Sequence, residues 1–454
     1  PAILGNPQFE NEASDWIELY NEGASAVNLS NWSLSDDASN PGMWNFPEGT
    51  LLPAGGYLII LADNPPAAIE SAHYLHANFK LDGGGEFLGL FDDAGEPVSI
   101  PGTPKYPKQH DNYSYGLDPA GENYVFYDTP TPGRKNSGNT FTGKADAPDS
   151  DIKGCFYPSS LTVTLTSETA GATIRYTTDG TNPTKDNGTV YTQPLTLRQI
   201  SNKRGHCIRA RSFMAGLIPS NTKTNSYLIN QDPRLLNSPS LLFTADLPRS
   251  LYGPFGALAI NNTQPFYNNV INRGRCYERP IHAEFYFGEG SPGFSTNCGV
   301  RIAASAYSRP RMRLTQLASS PWPASGVEKP SFNLYFRNQY GNAEVQLPLN
   351  GENAPVDTYR RFRVRAGKND IKNPFIVDEL VRRLSRDMGQ PASTGVINSL
   401  YVNAELKGFY NMVERLRSPW FSSIHGSAPG VEWDTLALQG GDSNVAEGDM
   451  IAWE

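Results

Sequence analysis

The chain has 454 residues, and its 38 lysines and arginines against 46 aspartates and glutamates give a formal charge of −8. Such a weakly acidic chain disfavours a general nucleic-acid-binding protein, which needs a basic surface, and no apolar run reaches the roughly 18 residues of a membrane span. The 42 glycines and 36 prolines favour many turns over long helices, and the length predicts two to four domains at roughly 100–200 residues each.

The first part of the chain, residues 1–136, has the pattern of short strands separated by turns. Apolar and polar residues alternate in DWIELYNEG from Asp15 and in VNLSNWSLSDD at 27–37, and Gly, Pro and Asp turns follow. Strands at roughly 8–12-residue spacing with such turns predict a β-sandwich.

Several ordered motifs in this part are DWIELYNEGASAVNLSNWSLSDD, WNFPEGTLLPAGGYLIILA, HANFKLDGGGEFLGLFDDAG, SYGLDP and TPTPGRKN. Together they resemble the lamin-tail domain of bacterial secreted proteins over essentially all of residues 1–136. The resemblance implies an immunoglobulin-like sandwich, with a sugar-stacking aromatic strip as the alternative role for its large rings. The side chains expected in or near the core are Trp16, Leu19, Trp32, Leu34, Trp44, Phe46, Tyr57 and Phe79.

A linker and a second sandwich are predicted next. Residues 137–151 have hardly any apolar side chain and predict a linker. Residues 152–229 alternate at period two, with a turn at Asp179-Gly180. The runs ATIRYTTDGTNPT, YTQPLTL and IRARSF resemble the small sandwich at the C-terminus of chitobiases and hexosaminidases, which is an accessory module without catalytic groups.

The four cysteines fall as two well-separated pairs without the spacing of a zinc site. An even count in a turn-rich chain predicts two disulfides and an oxidising compartment, and four reduced, buried thiols are the alternative. The sequence does not fix the connectivity, and pairing within each domain is the simplest choice. This choice joins Cys155 to Cys207 and Cys276 to Cys298.

Residues 230–454 mix strands with one clear helix. Apolar residues recur at helical spacing between Phe375 and Met388. Asn373 is a good N-cap, Pro374 suits the first helical position, and Gly389 is a good stop. Early carboxylates and late arginines also match the helix dipole.

Four segments of this region are CGVRIAASAYSR, KPSFNLYFRNQYG, RFRVRAGKNDIKNPFIVDELVRRLSRDMG and LYVNAELKGFYNMVERL. They resemble the spore-coat CotH-type kinase domain, which implies an α+β, kinase-like partial domain over 230–454. The last segment follows the family motif with Asn403, Glu405, Gly408 and Tyr410. The predicted chain is therefore mainly β, with two immunoglobulin-like β-sandwiches before the CotH-like domain.

The resemblance also implies a nucleotide site. Lys329, Arg363 and Arg365 would face a phosphate and Glu414 would orient the lysine, and the alternative is that these are surface or packing charges. The two key aspartates of the family lie well beyond the motif, whereas the sequence stops about 40 residues after Tyr410. No catalytic residue is therefore expected in this fragment. No Walker-type loop is present.

The leading hypothesis is a secreted or cell-surface bacterial multidomain protein with a structural, adhesive or assembly role. A fragment of a secreted ATP-dependent CotH-type kinase and a carbohydrate-binding surface protein are the alternatives. ATP and a divalent metal are expected only under the kinase hypothesis, and no other cofactor is evident. Self-association through sheet edges, or association with other extracellular components, is the expected partnership.

Overall fold

The computed structural model describes residues 15–65, 74–98, 105–252, 255–259, 269, 274–288, 291–303, 330–349, 357–367, 376–416, 418–428, 431, 433–439 and 442–447. The chain is mainly β, which confirms the predicted class. It divides into two compact units: residues 1–145 with 214–219, and residues 146–213 with 220–454. No helix in the described ranges has the length and apolar character needed to cross a bilayer.

The first unit consists of short strands in small sheets. Its longest pairing is antiparallel, between β1 and β6, and β7 adds to β6 in parallel. Two further sheets have the strand orders β2-β5 and β4-β3-β8. The strands are β1 (Asp15–Tyr20), β2 (Val27–Asn28), β3 (Ser33–Ser35), β4 (Trp44–Asn45), β5 (Leu51–Leu52), β6 (Tyr57–Ala62), β7 (Leu75–Ala77) and β8 (Gly89–Phe91).

Alternation along these strands builds the core of the first unit. Ile17 of β1 is buried, whereas the next residue, Glu18, accepts a hydrogen bond from the Gly133 amide. Most of the predicted core side chains join this cluster, whereas Trp16 and Tyr57 lie outside it. Those in or against the cluster are Leu19, Trp32, Leu34, Trp44, Phe46 and Phe79.

The predicted linker, residues 137–151, contains three two-residue strands. β11 (Thr140–Phe141) completes a sheet with β10 (Tyr124–Tyr127) and β9 (Ser114–Leu117). β12 (Gly143–Lys144) pairs in parallel with β21 (Leu217–Ile218) of the same unit. Backbone hydrogen bonds therefore order this segment although it contributes few apolar side chains.

The sandwich in the second unit is built around a five-stranded sheet in the order β14-β22-β20-β17-β18, with smaller sheets β13-β16 and β15-β19. Its apolar core includes Val163, Ile208 and Tyr227. The strands are β13 (Asp149–Ser150), β14 (Cys155–Tyr157), β15 (Leu161–Val163), β16 (Leu165–Thr166), β17 (Thr173–Thr177), β18 (Thr189–Val190), β19 (Leu195–Leu197), β20 (His206–Phe213) and β22 (Lys223–Ile229).

The rest of the second unit is dominated by a closed seven-stranded barrel in the order β23-β24-β25-β26-β29-β31-β30, which β23 and β30 close by pairing in parallel. Apolar side chains at alternate positions fill its interior, where Phe332, Phe362 and Tyr410 are fully buried. The strands are β23 (Ser240–Thr244), β24 (Arg279–Tyr286), β25 (Pro292–Ala303), β26 (Ser331–Tyr335), β29 (Arg361–Arg365), β30 (Gly395–Val402) and β31 (Glu405–Glu414).

In the described part of the second unit, two hairpins and three helices accompany the barrel. The hairpins are β27 (Val345–Gln346) with β28 (Thr358–Tyr359) and β32 (Thr435–Gln439) with β33 (Asp442–Glu447). The helices are α1 (Pro233–Leu236), α2 (Val377–Asp387) and α3 (Ser418–His425), and single turns of π-helix and 3₁₀-helix lie at Leu247–Leu251 and Arg275–Tyr277.

Helix α2 confirms the helix predicted from apolar spacing. It ends as predicted at Gly389, whose φ of 78° lets the Gln390 amide donate to the Ser385 carbonyl at 2.9 Å. The predicted start at Asn373 and Pro374 lies outside the described residues.

Sheet packing joins the second sandwich to the barrel within the second unit. Leu228 of β22 and Cys207 of β20 pack against Leu242 and Tyr401 on the barrel wall. At the same contact, buried Glu284 accepts hydrogen bonds from the amide and hydroxyl of Ser226. The sandwich and the barrel therefore share buried apolar and polar contacts.

The predicted disulfides are wrong, because no disulfide is present among the described residues and all four cysteines are described. β22 lies between β14 and β20, so Cys155 and Cys207 are two strands apart. Two strand spacings are about 9–10 Å, which exceeds the Cα separation of a disulfide. Cys298 lies in the barrel core, whereas Cys276 is exposed.

Alkylation of the native protein should separate the cysteines by exposure. Cys276 should react with iodoacetamide within minutes, whereas Cys207 and Cys298 should react only after unfolding. Burial raises the pKa of both thiols, that of Cys207 to about 12, and only the thiolate is nucleophilic. Mass spectrometry of tryptic peptides reads the labelling, and a Cys155–Cys207 peptide recovered without reduction would contradict the strand register.

Candidate functional site

One wall of the barrel carries several arginines on its outer surface. In β29 the side chains of Phe362 and Val364 are fully buried in the core. Arg361, Arg363 and Arg365 occupy the alternate, half-buried positions, so the period of two places all three on the outside.

Neighbouring strands extend this surface. Arg301 of β25 is in register with Asn333 of β26, which is in register with Arg363. The Arg363 Nε donates to the Asn333 Oδ1 at 3.4 Å. Two further arginines, one just beyond β26 and one just beyond β31, complete what we call the arginine face. Its members are Arg301, Arg337, Arg361, Arg363, Arg365 and Arg415.

Tyr335 of β26 lies at the centre of the arginine face and is itself buried. The Arg301 guanidinium carbon lies 4.4 Å from the centroid of the ring and that of Arg337 lies 5.3 Å from it. Arg301 also donates to the Tyr335 hydroxyl, and Arg415 donates to it at 3.4 Å. Cation–π and hydrogen-bond contacts thus hold three guanidinium groups around one ring.

One buried carboxylate anchors the upstream end of the face. Glu278 accepts two hydrogen bonds from Arg337, at 2.9 and 3.1 Å, and its Oε1 lies 3.8 Å from the Arg301 Nε. The Glu278 hydrogen bonds raise the pKa of Arg337. The arginine side chains stay partly accessible, at 20% for Arg301 and 27% for Arg337.

Helix α2 anchors the other end. Arg365 lies 3.1 Å from Asp378, and the buried Glu379 accepts hydrogen bonds from Arg383 at 2.8 Å and Asn411 at 3.0 Å. Burial by itself raises the pKa of Glu379, but hydrogen bonds from Arg383, Asn411 and Arg382 outweigh burial and lower it.

Several guanidinium groups lie close together on this wall. Glu278 pairs with Arg301 and Arg337, and Asp378 pairs with Arg365. Guanidinium groups match phosphate and sulfate geometry with paired N–H donors. A cluster of guanidinium groups is therefore suited to hold an anion.

The predicted nucleotide-site residues separate into two groups. Arg363 and Arg365 lie together on the arginine face, and Lys329 lies outside the described residues. Glu414 is in register with Phe362, whose side chain points into the barrel. Glu414 is therefore on the opposite side of the wall from the two arginines, and its role of orienting Lys329 stays a prediction.

Asn403 of the family motif serves the fold. It forms the β30–β31 turn with Ala404, at φ values of 47° and 58°. Its side-chain amide donates to the carbonyls of Ala245, at 3.0 Å, and Asp179, at 2.8 Å. It thereby ties the end of β23 and a sandwich loop to the turn.

The other motif residues are structural too. Glu405 pairs with the almost completely buried Lys407. The pairing of β30 with β31 shifts register after Leu400, and Gly408 at φ 109° lies at this bulge. Tyr410 lies in the barrel core.

Sequence reasoning missed Arg301, Tyr335, Arg337, Arg361 and Arg415. The RFRVR run at 361–365 contained the signal, because alternation in a strand predicts that all three of its arginines share one face. The partners from β25, β26 and β31 depend on long-range strand pairing, which the sequence does not show.

The other candidate ligands find less support in the geometry. Three or more His, Cys, Asp or Glu side chains placed to hold a metal are not found in the described ranges. The exposed ring of Tyr20 stacks on Tyr57, with centroids 4.7 Å apart and planes at 28°. Each ring covers a face of the other, so this pair is not the coplanar strip that a sugar-binding surface needs.

Comparison with protein families identifies two segments of the chain. Residues 3–103 match the Lamin Tail Domain model and residues 163–227 match the Fn3 associated model. The chain contains a lamin tail domain and an Fn3-associated domain. The lamin tail domain has an immunoglobulin-like fold, and its match confirms the first predicted resemblance.

The second sandwich therefore matches the Fn3 associated family. Its sequence had instead suggested the C-terminal module of chitobiases. Neither match extends into residues 230–454, so the resemblance of the barrel region to CotH-type kinases stays a prediction. No curated protein matches the chain.

Proposed function

We propose that this is a secreted or cell-surface multidomain protein with a structural or adhesive role, whose barrel holds a phosphate-bearing ligand on the arginine face. The single observation that carries the ligand is the cluster of guanidinium groups that Arg301, Arg337 and Arg415 form around Tyr335, beside the outward-facing arginines of β29. The extracellular location is supported by the resemblance of residues 1–136 to domains of bacterial secreted proteins, and no longer by the cysteines.

The structural part of the proposal is supported by the way the second unit is built. A spacer that presents a binding surface must keep that surface in a fixed position. The shared apolar cluster and the Glu284–Ser226 hydrogen bonds give the barrel a rigid mount on the Fn3-associated sandwich. The arginine face would then be presented on a compact body rather than on a flexible tether.

Titration with sodium tripolyphosphate tests the ligand. At low salt the protein should bind it with micromolar affinity, and the double substitution Arg361→Ala/Arg363→Ala should weaken binding roughly tenfold or more, because two charge-assisted contacts are lost. Calorimetry at several salt concentrations gives the dissociation constants, which should rise with salt.

Arg360→Ala is the control for loss of positive charge, because it removes one charge at the residue before Arg361. Arg360 is exposed and pairs with Glu344 at 3.4 Å, so its loss should leave affinity within about twofold. Absence of binding at millimolar tripolyphosphate, or equal loss in the control, would sink the proposal.

A fragment of a secreted ATP-dependent CotH-type kinase is the second candidate. The Arg365–Asp378 contact favours it, because a strand cation held by a helix carboxylate beside a phosphate site is a recurring part of kinase sites. Titration with Mg-ATP separates the two candidates. Affinity far above that for tripolyphosphate favours the kinase, whereas equal affinities favour recognition of phosphate alone.

A further inference from the structure

The hydroxyl group of Tyr335 keeps a proton that meets no acceptor among the described residues. Its oxygen accepts hydrogen bonds from the guanidinium groups of Arg301 and Arg415. A phenol hydroxyl has one proton to donate, so after two accepted hydrogen bonds the proton is what it still offers. Tyr335 is only 2% exposed, and a buried donor without an acceptor costs free energy. The centre of the arginine face therefore presents a buried donor.

The polar groups described around this hydroxyl are donors as well. The guanidinium carbons of Arg301 and Arg337 lie 4.4 and 5.3 Å from the centroid of the Tyr335 ring, and Arg415 donates to the hydroxyl at 3.4 Å. On β29, Arg361 is in register with Tyr335. A guanidinium group has five N–H donors, accepts no hydrogen bond and is not deprotonated in proteins. Donors consequently reach this point from several strands of the barrel wall.

Glu278, the carboxylate that holds Arg301 and Arg337, is out of reach of a ligand. Its side chain is fully buried. Its oxygens accept hydrogen bonds from Arg337 at 2.9 and 3.1 Å and from the Tyr340 hydroxyl at 3.4 Å. The two arginines stay partly accessible, so a ligand meets them before it meets the carboxylate. A proton carried by an anionic ligand would find no acceptor among these groups.

We propose that the arginine face selects a tetrahedral oxyanion that carries no proton, either a sulfate ester or the dianion of a phosphate ester. This inference rests on the proposed function and narrows its ligand class. Three guanidinium groups and the Tyr335 hydroxyl all donate, so each ligand oxygen that they contact must accept. A phosphate monoester loses its second proton with a pKa of about 6, whereas a sulfate ester has no such proton to lose.

Calorimetric titration at pH 5 tests the selection with two ligands of nearly equal charge. At this pH phenyl phosphate is about 90% monoanion, and phenyl sulfate is a monoanion too, so electrostatic attraction is nearly the same for both. Phenyl sulfate should bind roughly fivefold or more tightly, because the phosphate hydroxyl faces only donors. Between pH 5 and pH 7.5 the affinity for phenyl phosphate should rise about tenfold as the dianion forms. The affinity for phenyl sulfate should change less than twofold.

Tripolyphosphate keeps the inference separate from the proposed function. A protein that binds tripolyphosphate at pH 7.5 but has equal affinities for the two phenyl esters at pH 5 overturns the inference, because charge alone then explains binding. A protein that binds none of the three ligands at millimolar concentration overturns the inference together with the proposed function.

Tyr335→Phe tests the buried donor, because it keeps the ring between the guanidinium groups and removes the hydroxyl. It should weaken binding of phenyl sulfate roughly tenfold, since a hydrogen bond to a charged group is lost. Tyr20→Phe is the matched control, because Tyr20 is 54% exposed on β1 of the first unit, and it should leave affinity unchanged. An unchanged affinity in Tyr335→Phe would contradict the role of the hydroxyl. If this variant does not fold, the comparison of the two esters in the unmodified protein still decides.

Discussion

Replacing Gly180 with alanine is expected to destabilise the second unit by about 3 kcal/mol or more, which is the largest loss we expect from a single methyl group. Gly180 has φ +85°, and a Cβ atom there would lie 2.2 Å from the Asn403 Nδ2 and 2.3 Å from the Ala245 carbonyl oxygen. The Asn403 amide is hydrogen-bonded to the neighbouring Asp179 carbonyl and to Ala245. The methyl group would therefore push apart the sandwich loop, the β30–β31 turn and the end of β23.

Gly389→Ala is the control that measures the cost of the left-handed backbone conformation alone, without the steric clash that an alanine at position 180 would make. Gly389 has φ +78°, close to that of Gly180, but nothing lies within 4 Å of its added Cβ. It should therefore cost only the roughly 1–2 kcal/mol of a left-handed alanine. Denaturant unfolding followed by circular dichroism gives both free energies, and equal losses would show that the Asn403 contact is not tight.

Glu414→Gln is expected to stabilise the second unit above neutral pH by about 3 kcal/mol. Burial raises the pKa of Glu414 to about 7 from an ordinary value of 4.5, although the Thr394 amide, Trp420 and Arg386 lower it in part. A carboxyl group with a raised folded-state pKa contributes stability below pH 4.5 that is lost as the pH rises toward 7. Glutamine cannot ionise, so it avoids this loss of about 1.4 kcal/mol per unit of pKa.

The measurement is the difference in the free energy of unfolding between Glu414→Gln and the unmodified protein, from pH 4 to pH 8.5. The difference should be small near pH 4, grow through pH 5–7 and then level off. Taking the difference removes other titrations, including that of His282, whose pKa burial lowers to about 4. Glu344→Gln is the control, because Glu344 is 50% exposed, and a difference that is flat with pH would show that Glu414 titrates normally.

Local features of the fold were predictable and long-range ones were not. The apolar spacing from Val377 to Met388 and the stop at Gly389 identified α2, because both signals lie within the helix itself. The direction in which α2 faces was not predictable. It depends on Arg365 and Asn411, which reach the helix only after β29 and β31 have paired.

The candidate site likewise combines residues that a local pattern predicts with residues that only long-range strand pairing brings together. The sequence proposed Arg363 and Arg365 as phosphate-facing residues, which stays a prediction, and alternation explains why they share a surface with Arg361. Tyr335 and Arg301 join them through the register of β25, β26 and β29, which no local pattern encodes. The disulfide prediction was wrong for a related reason. The strand that separates Cys155 from Cys207 is β22, which comes later in the chain than both cysteines.

Closure of the barrel by β23 and β30 has a consequence for biosynthesis. About 150 residues separate the two strands along the chain, and a ribosome adding roughly 5–20 residues per second needs about 8–30 s to make them. During that interval β23, whose five residues are all buried in the finished protein, has no partner on its β30 side. One edge of this largely apolar strand therefore stays unpaired until β30 has been made.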